Sequence, residues 1–178
     1  MKLLGAVLAG GRSSRFGSDK ALALVEGRPL IAHVIAALRP QVAALVVCGR
    51  DWPGFVALTD VPDLGPDLGP GPGLGPLAGL CAALIDAERR GFDAVLCAPC
   101  DVLDLPADLA QRLSPGPAVA IGGRAVGLWP AGLASALRQR LDTADDRSIR
   151  GWLAATGAHE IDCGPLRNIN RPGDLAAG

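Results

Sequence analysis

Short apolar runs alternate with segments of helical period along the whole chain, and that alternation leaves few folds open to it. Residues 3–8 form a continuous apolar run, as expected of a strand buried on both faces. Residues 29–38 (PLIAHVIAAL) repeat with a helical period, and Pro29 is admissible in the first turn. Further strands are predicted over 43–48, 55–59 and 93–98, with a helix running from Gly75-Pro76-Leu77-Ala78-Gly79-Leu80 to Arg90 between the last two. A helix over 106–113, a strand pair at 118–121 and 125–129 around Gly122-Gly123, and helices over 130–141 and 147–155 follow. A last strand over 158–163 and a short helix over 172–177 complete the pattern, with no internal repeat. Such alternation implies an open, mostly parallel α/β sheet with helices on both faces. Ligands of such sheets bind outside the carboxyl ends of the strands. The loop at Gly10, Asp60 and Asp101 all fall at such ends.

A chain of 178 residues suits a single domain over 1–178 with a substantial core. With 49% hydrophobic and 20% charged residues, it is expected to fold rather than remain disordered. A net charge of -1 argues against general affinity for nucleic acid, which wants a basic excess. The apolar start ends at Gly10 and Gly11, too short for a signal segment, and no stretch is long enough to span a membrane. The expectation is a cytoplasmic protein that engages neither nucleic acid nor membrane. Cys97 and Cys100 have C-x-x-C spacing, but no second pair exists for zinc, and Asp101 with an apolar stretch follows where a redox motif would open a helix. They are expected to be small buried thiols at a strand end. His33 is expected to pack or cap within its helix, and His159 to lie on the surface.

The most informative segment is Leu8-Ala9-Gly10-Gly11-Arg12-Ser13-Ser14-Arg15-Phe16-Gly17-Ser18-Asp19-Lys20. Adjacent glycines behind a buried strand let the backbone approach a ligand and turn N–H groups towards phosphate. Arg15 and Lys20 can neutralise phosphate charge. This is no Walker A loop, because Ser18 follows Gly17 where lysine is required, and Gly10-Gly11-Arg12 breaks the dinucleotide fingerprint. The stretch from Asp60 to Gly75 (DVPDLGPDLGPGPGLG) reads as a loop, since proline removes donors and glycine removes packing.

LAGGRSSRFGSDKAL resembles the signature of the molybdenum cofactor guanylyltransferases, the MobA family, with Phe16 where methionine is common. Gly27-Arg28-Pro29-Leu30, His33-Val34, Gly75 to Gly79 (GPLAG), Pro99-Cys100-Asp101, Arg147-Ser148 with Trp152-Leu153, and Asn168 to Leu175 (NINRPGDL) are similar to further family motifs in the same order. The resemblance implies a three-layer, Rossmann-like, nucleotide-diphospho-sugar-transferase-like fold with a mostly parallel sheet. It implies GTP and molybdenum-molybdopterin as substrates, magnesium as cofactor, and cofactor-insertion proteins or molybdoenzyme chaperones as candidate partners. Leu8, Ala9, Gly10 and Gly11 would hold the nucleotide, with Arg15 and Lys20 on its phosphates. Asp60 would contact the nucleotide, Asp101 would bind magnesium, and Asn168 and Asn170 would lie on the acceptor side. The family often has an asparagine near the base or ribose just after the second strand. Here that place reads Cys48-Gly49-Arg50, so Arg50 or the backbone substitutes.

The implied reaction is attack of the molybdopterin phosphate on the α-phosphorus of GTP, with loss of pyrophosphate. A phosphate monoester is already anionic at neutral pH and needs no general base. Arg15, Lys20 and Asp101 are therefore the expected catalytic groups, acting on charge rather than on protons. The alternatives are a cytidylyltransferase of the same fold, acting on molybdopterin or a sugar-alcohol phosphate, and a non-catalytic nucleotide-binding adaptor. LAGG and Asp19 before Lys20 favour the guanylyl branch.

Overall fold

The computed structural model describes residues 1–10, 19–58, 75–123, 125–143 and 146–175. Strand β1 (Leu3–Leu8) is buried at every position and stands inside a seven-stranded sheet. Two short strands, β2 (Leu24–Val25) and β3 (Arg28–Pro29), form a hairpin, and helix α1 (Leu30–Leu38) follows. Next come β4 (Ala44–Cys48), β5 (Val56–Leu58), helix α2 (Pro76–Arg89), β6 (Ala94–Pro99) and β7 (Val102–Leu103). The remainder holds α3 (Leu109–Arg112), β8 (Ala118–Ala120), β9 (Gly127–Pro130), α4 (Ala134–Thr143), α5 (Ile149–Thr156), β10 (His159–Ile161) and β11 (Arg167–Asn168).

The sheet order is β10-β8-β9-β6-β1-β4-β5. β1 runs parallel to both β4 and β6, and β5 is parallel to β4. β9 is antiparallel to β6 and to β8, the expected pair across Gly122-Gly123, while β10 is parallel to β8. Helices cover both faces because β1 is apolar on both. Leu4, Ala6 and Leu8 pack with α2, α4, Trp129 and Trp152. Leu3 and Val7 pack with Ile31, Val34, Ile35 and Leu38 of α1 and with Leu109 and Leu113. The three layers agree with the expected fold class. A parallel connection is right-handed, so stepping from β1 to β4 and then back across to β6 places α1 and α2 on opposite faces.

The predicted elements are present, with local corrections. The helix expected over 106–113 is one turn, Leu109–Arg112, and most of the shortening is at its start, where Asp108 at φ -110° and ψ 20° is not helical. The helix expected from 130 starts at Ala134, since Pro130 still belongs to β9 and a 3-10 turn at Ala131–Leu133 intervenes. The final helix is a 3-10 turn at Pro172–Leu175. The β2–β3 hairpin was not foreseen. Its two-residue loop places Glu26 at φ 51° and Gly27 at φ 75°, the doubly positive pattern that tightens an antiparallel pair. Beneath it, Val25, Leu30, Leu103 and Ile169 form a small separate core that ties β2 to β7 and β11. No helix among the described residues is long and apolar enough to cross a membrane.

Candidate active site

The chain moves from β1 to β4 on one side and returns to β6 on the other, so the sheet order reverses at β1. That reversal opens a crevice at the carboxyl ends. Leu8 is level with Cys48 on β4 and Pro99 on β6. Three loops therefore leave the sheet side by side, at Ala9-Gly10, at Gly49-Arg50 and at Cys100-Asp101. They are held by backbone bonds from Ala9 N to Cys48 O (2.9 Å) and from Cys100 N to Leu8 O (3.0 Å).

These loops border a cleft of about 1740 Å³. Leu8, Ala9, Gly10, Lys20, Asp101, Asn168 and Asn170 all line it, drawn from four distant parts of the sequence. Gly11, Arg15 and Asp60 lie outside the described residues, as does most of the Gly/Pro loop. The cleft continues past Gly75-Pro76 at the start of α2 to a wall that includes Ile149, Arg150, Leu153 and Glu160. Sequence reasoning did not single out that wall. The amphipathic pattern of α5, with only Trp152 buried, was the available signal.

Lys20 opens a 3-10 turn at Lys20–Leu22, and its Nζ donates to Oδ2 of Asp101 at 2.6 Å. Both side chains are partly shielded, at 15% and 25% exposure, so the pair is less screened than a surface ion pair. Asp101 does not cap the turn that follows it: its side chain goes to Lys20, and its carbonyl accepts from Ile169 N at 2.9 Å. That bond extends the β7–β11 pairing, in which Asn168 is level with Val102. Ile169 is fully buried, and Asn168 and Asn170 on either side of it both line the cleft, as the alternation of an extended segment requires. Asn168 Nδ2 donates to the Gly122 carbonyl at 3.1 Å. Asp174 accepts from the amides of Asn170 (2.7 Å) and Arg171 (2.9 Å), which hold its carboxyl below the usual carboxylate range.

The place after β4 is occupied by a charged clamp. Arg50 donates to Asp19 through Nη1 (2.8 Å to Oδ1) and Nη2 (2.5 Å to Oδ2). The hydrogen bond from Arg50 is the main cause that lowers the Asp19 pKa, against a smaller opposing effect of burial. Gly49 presses on the loop at Gly10. A Cβ there would sit 2.3 Å from Gly10 Cα, and its φ of +86° is one that L residues rarely adopt.

The cysteines take no visible part in this chemistry. Cys97 is wholly buried and donates to the Ala125 carbonyl at 3.1 Å, and burial pushes its thiol up to about 12. Burial, with the Asp101 charge adding to it, also pushes the Cys100 thiol up to about 12. Neither is a thiolate at neutral pH. His33 Nε2 donates to the Val25 carbonyl at 2.9 Å, tying α1 to the hairpin, and His159 is exposed, both as expected. Among the described residues, no three His, Cys, Asp or Glu side chains converge. Asp101 is a hard oxygen donor beside a large cleft. It fits magnesium, which takes one or two carboxylates and completes its shell with phosphate oxygens and water.

By kinship the chain is a nucleotidyltransferase. It belongs to the family of the MobA-like NTP transferase domain, whose model matches residues 5–161. It is 38% identical over 188 residues to a molybdenum cofactor guanylyltransferase of Cereibacter sphaeroides, covering 99% of this chain and 95% of that protein. A molybdenum cofactor guanylyltransferase of Acidiphilium cryptum is 36% identical over 180 residues, covering 96% and 91%. In fold the chain is similar to the crystal structure of molybdopterin-guanine dinucleotide biosynthesis protein A from Archaeoglobus fulgidus, with TM-score 0.71 and 20% identity over 98% of this chain and 95% of that one.

Proposed function

We propose that the protein transfers GMP from GTP to the phosphate of molybdopterin in molybdenum cofactor, releasing pyrophosphate, with magnesium as cofactor. One observation carries the reading: Gly10, Lys20 and Asp101 meet at the point where the sheet order reverses, in a cleft large enough for two substrates. The curated relatives named as guanylyltransferases support GTP as the nucleotide.

The chemistry asks little of proton transfer, because the attacking phosphate monoester is anionic at neutral pH. The obstacle is the approach of two anions. Ala9 and Gly10 carry no bulky side chain and, with the Leu8 end of β1, give a backbone surface along which the nucleotide lies. Lys20 offsets the negative charge of the triphosphate and of the departing pyrophosphate. Arg15 joins it in that role, and Gly11 and Asp60 complete the nucleotide contacts. Asp101 would hold magnesium, which supplies charge neutralisation at the phosphates. Asn168 and Asn170 orient the acceptor from the far side, where their amide groups donate and accept hydrogen bonds.

Pyrophosphate release in the presence of GTP, magnesium and molybdopterin tests this directly. Lys20→Ala and Asp101→Ala are each expected to keep the fold and to lower turnover by about 100-fold or more, the scale of losing one preorganised electrostatic group. Full turnover in Asp101→Ala would remove that residue from the mechanism, and turnover with CTP in preference to GTP would replace the nucleotide.

A further inference from the structure

Arg50 stands where the family often has an asparagine, and its side chain is occupied in a way that asparagine could not reproduce. Both terminal nitrogens grip Asp19, one on each carboxylate oxygen. A two-pronged pair of this kind fixes orientation as well as charge. Asp19 in turn caps the turn that carries Lys20. Its Oδ1 accepts from Ala21 N at 3.2 Å, and its carbonyl accepts from Leu22 N at 3.1 Å. Lys20, the next residue, reaches Asp101 at 2.6 Å. An unbroken set of contacts thus runs from the loop after β4, through Arg50 and Asp19, to the lysine that reaches Asp101 after β6.

The pair also settles an electrostatic difficulty. Asp19 lines the cleft with 43% of its side chain exposed. Alone it would place an anion beside bound phosphate, and repulsion there would oppose binding. We infer that Arg50 is a positioning residue that fixes the turn bearing Lys20 and neutralises Asp19, so that the cleft meets a nucleoside triphosphate with its cation in place and the Asp19 charge offset. Lysine is no substitute, because it carries the charge without the planar fork.

The nucleotide half of the test rests on the function proposed above, and the other half does not. Four variants suffice: Arg50→Ala, Arg50→Lys, the nearly isosteric Asp19→Asn, and the double variant Asp19→Asn with Arg50→Ala. Without nucleotide, amide hydrogen exchange at Ala21, Leu22 and Ala23 reports the turn, whose bonds run to Asp19 and Lys20. Arg50→Ala is expected to speed exchange at all three, and Arg50→Lys to fall between it and the parent. Unchanged exchange in Arg50→Ala overturns the inference, whatever nucleotide the protein uses. With GTP and magnesium, Arg50→Ala is expected to raise KM about tenfold, the scale of one charge-assisted contact, with a smaller fall in kcat. The double variant is expected to bind no worse than Arg50→Ala, because the carboxylate that Arg50 neutralises is gone. Losses that multiply instead would show two independent contacts and overturn it. If the parent protein ignores GTP while exchange responds as expected, the proposed nucleotide fails and the positioning role stands.

Discussion

At the scale of residues, the crevice depends on groups that are small or paired. Gly49→Ala would add a Cβ 2.3 Å from Gly10 Cα at a φ of +86°. The conformation alone costs about 1 kcal/mol or more, and the collision must push apart the two loops that border the nucleotide end. A lower urea midpoint together with weaker stabilisation by nucleotide is expected, and parent-like values for both would contradict the contact. The Asp19–Arg50 pair has a pH signature. Its carboxylate pKa is lowered in the folded state by the Arg50 hydrogen bond, so its stabilisation is present above the ordinary carboxylate value near ~4 and is lost as pH falls through the lower folded value. The difference in unfolding free energy between parent and Arg50→Ala should be full at neutral pH and shrink in acid. A difference that stays constant across a urea-unfolding series at falling pH would contradict this. Cys97→Ala should keep turnover, since the thiol is protonated and buried, whereas Lys20→Ala should lose it. The opposite pattern in a turnover assay would revive a redox role.

At the scale of elements, α5 joins the core to one wall of the cleft. Trp152 is 2% exposed and packs against Trp129 in a tilted arrangement with ring centroids 6.0 Å apart, while Ile149 and Leu153 of the same helix line the cleft. Trp152→Ala should cost about 3–5 kcal/mol in denaturant unfolding and loosen the cleft wall that Ile149 and Leu153 form. A loss below about 1 kcal/mol would show that α5 is held by other contacts. Elements of this length were legible beforehand. β1, β4 and β6 announce themselves as unbroken apolar runs, and α1 and α2 by their buried stripes, because their patterns repeat several times within one segment. β2, β3, β7 and β11 were not legible: two residues carry no period, and their pairing is set by contacts far away in the chain. The same reason hides the clamp. Asp19 and Arg50 lie 31 positions apart, and neither sits in a pattern that names its partner. Leu8, Ala9, Gly10 and Asp101 could be gathered in advance because each ends or follows a strand whose direction the alternation implies, whereas Lys20 is marked by its charge and Asn168 and Asn170 only by the family resemblance.

At the scale of the whole molecule, a sheet whose strand order reverses at β1 brings β1, β4 and β6 to one rim, and the loops of all three meet there. That shared rim lets segments near residues 10, 20, 101 and 169 act on one ligand without any of them being close in sequence. On the function proposed above, this rim takes GTP with magnesium. Thermal unfolding of the purified protein with GTP, CTP, ATP and UTP, each with and without magnesium, tests it most directly. A ligand held only by the folded state at about 100 times its Kd adds about 2.7 kcal/mol of stability. For a chain of this size that raises Tm by about 5–10 °C. Such a shift is expected for GTP, larger with magnesium than without, and little for the others. A larger shift with CTP, or none with any nucleotide, would contradict it.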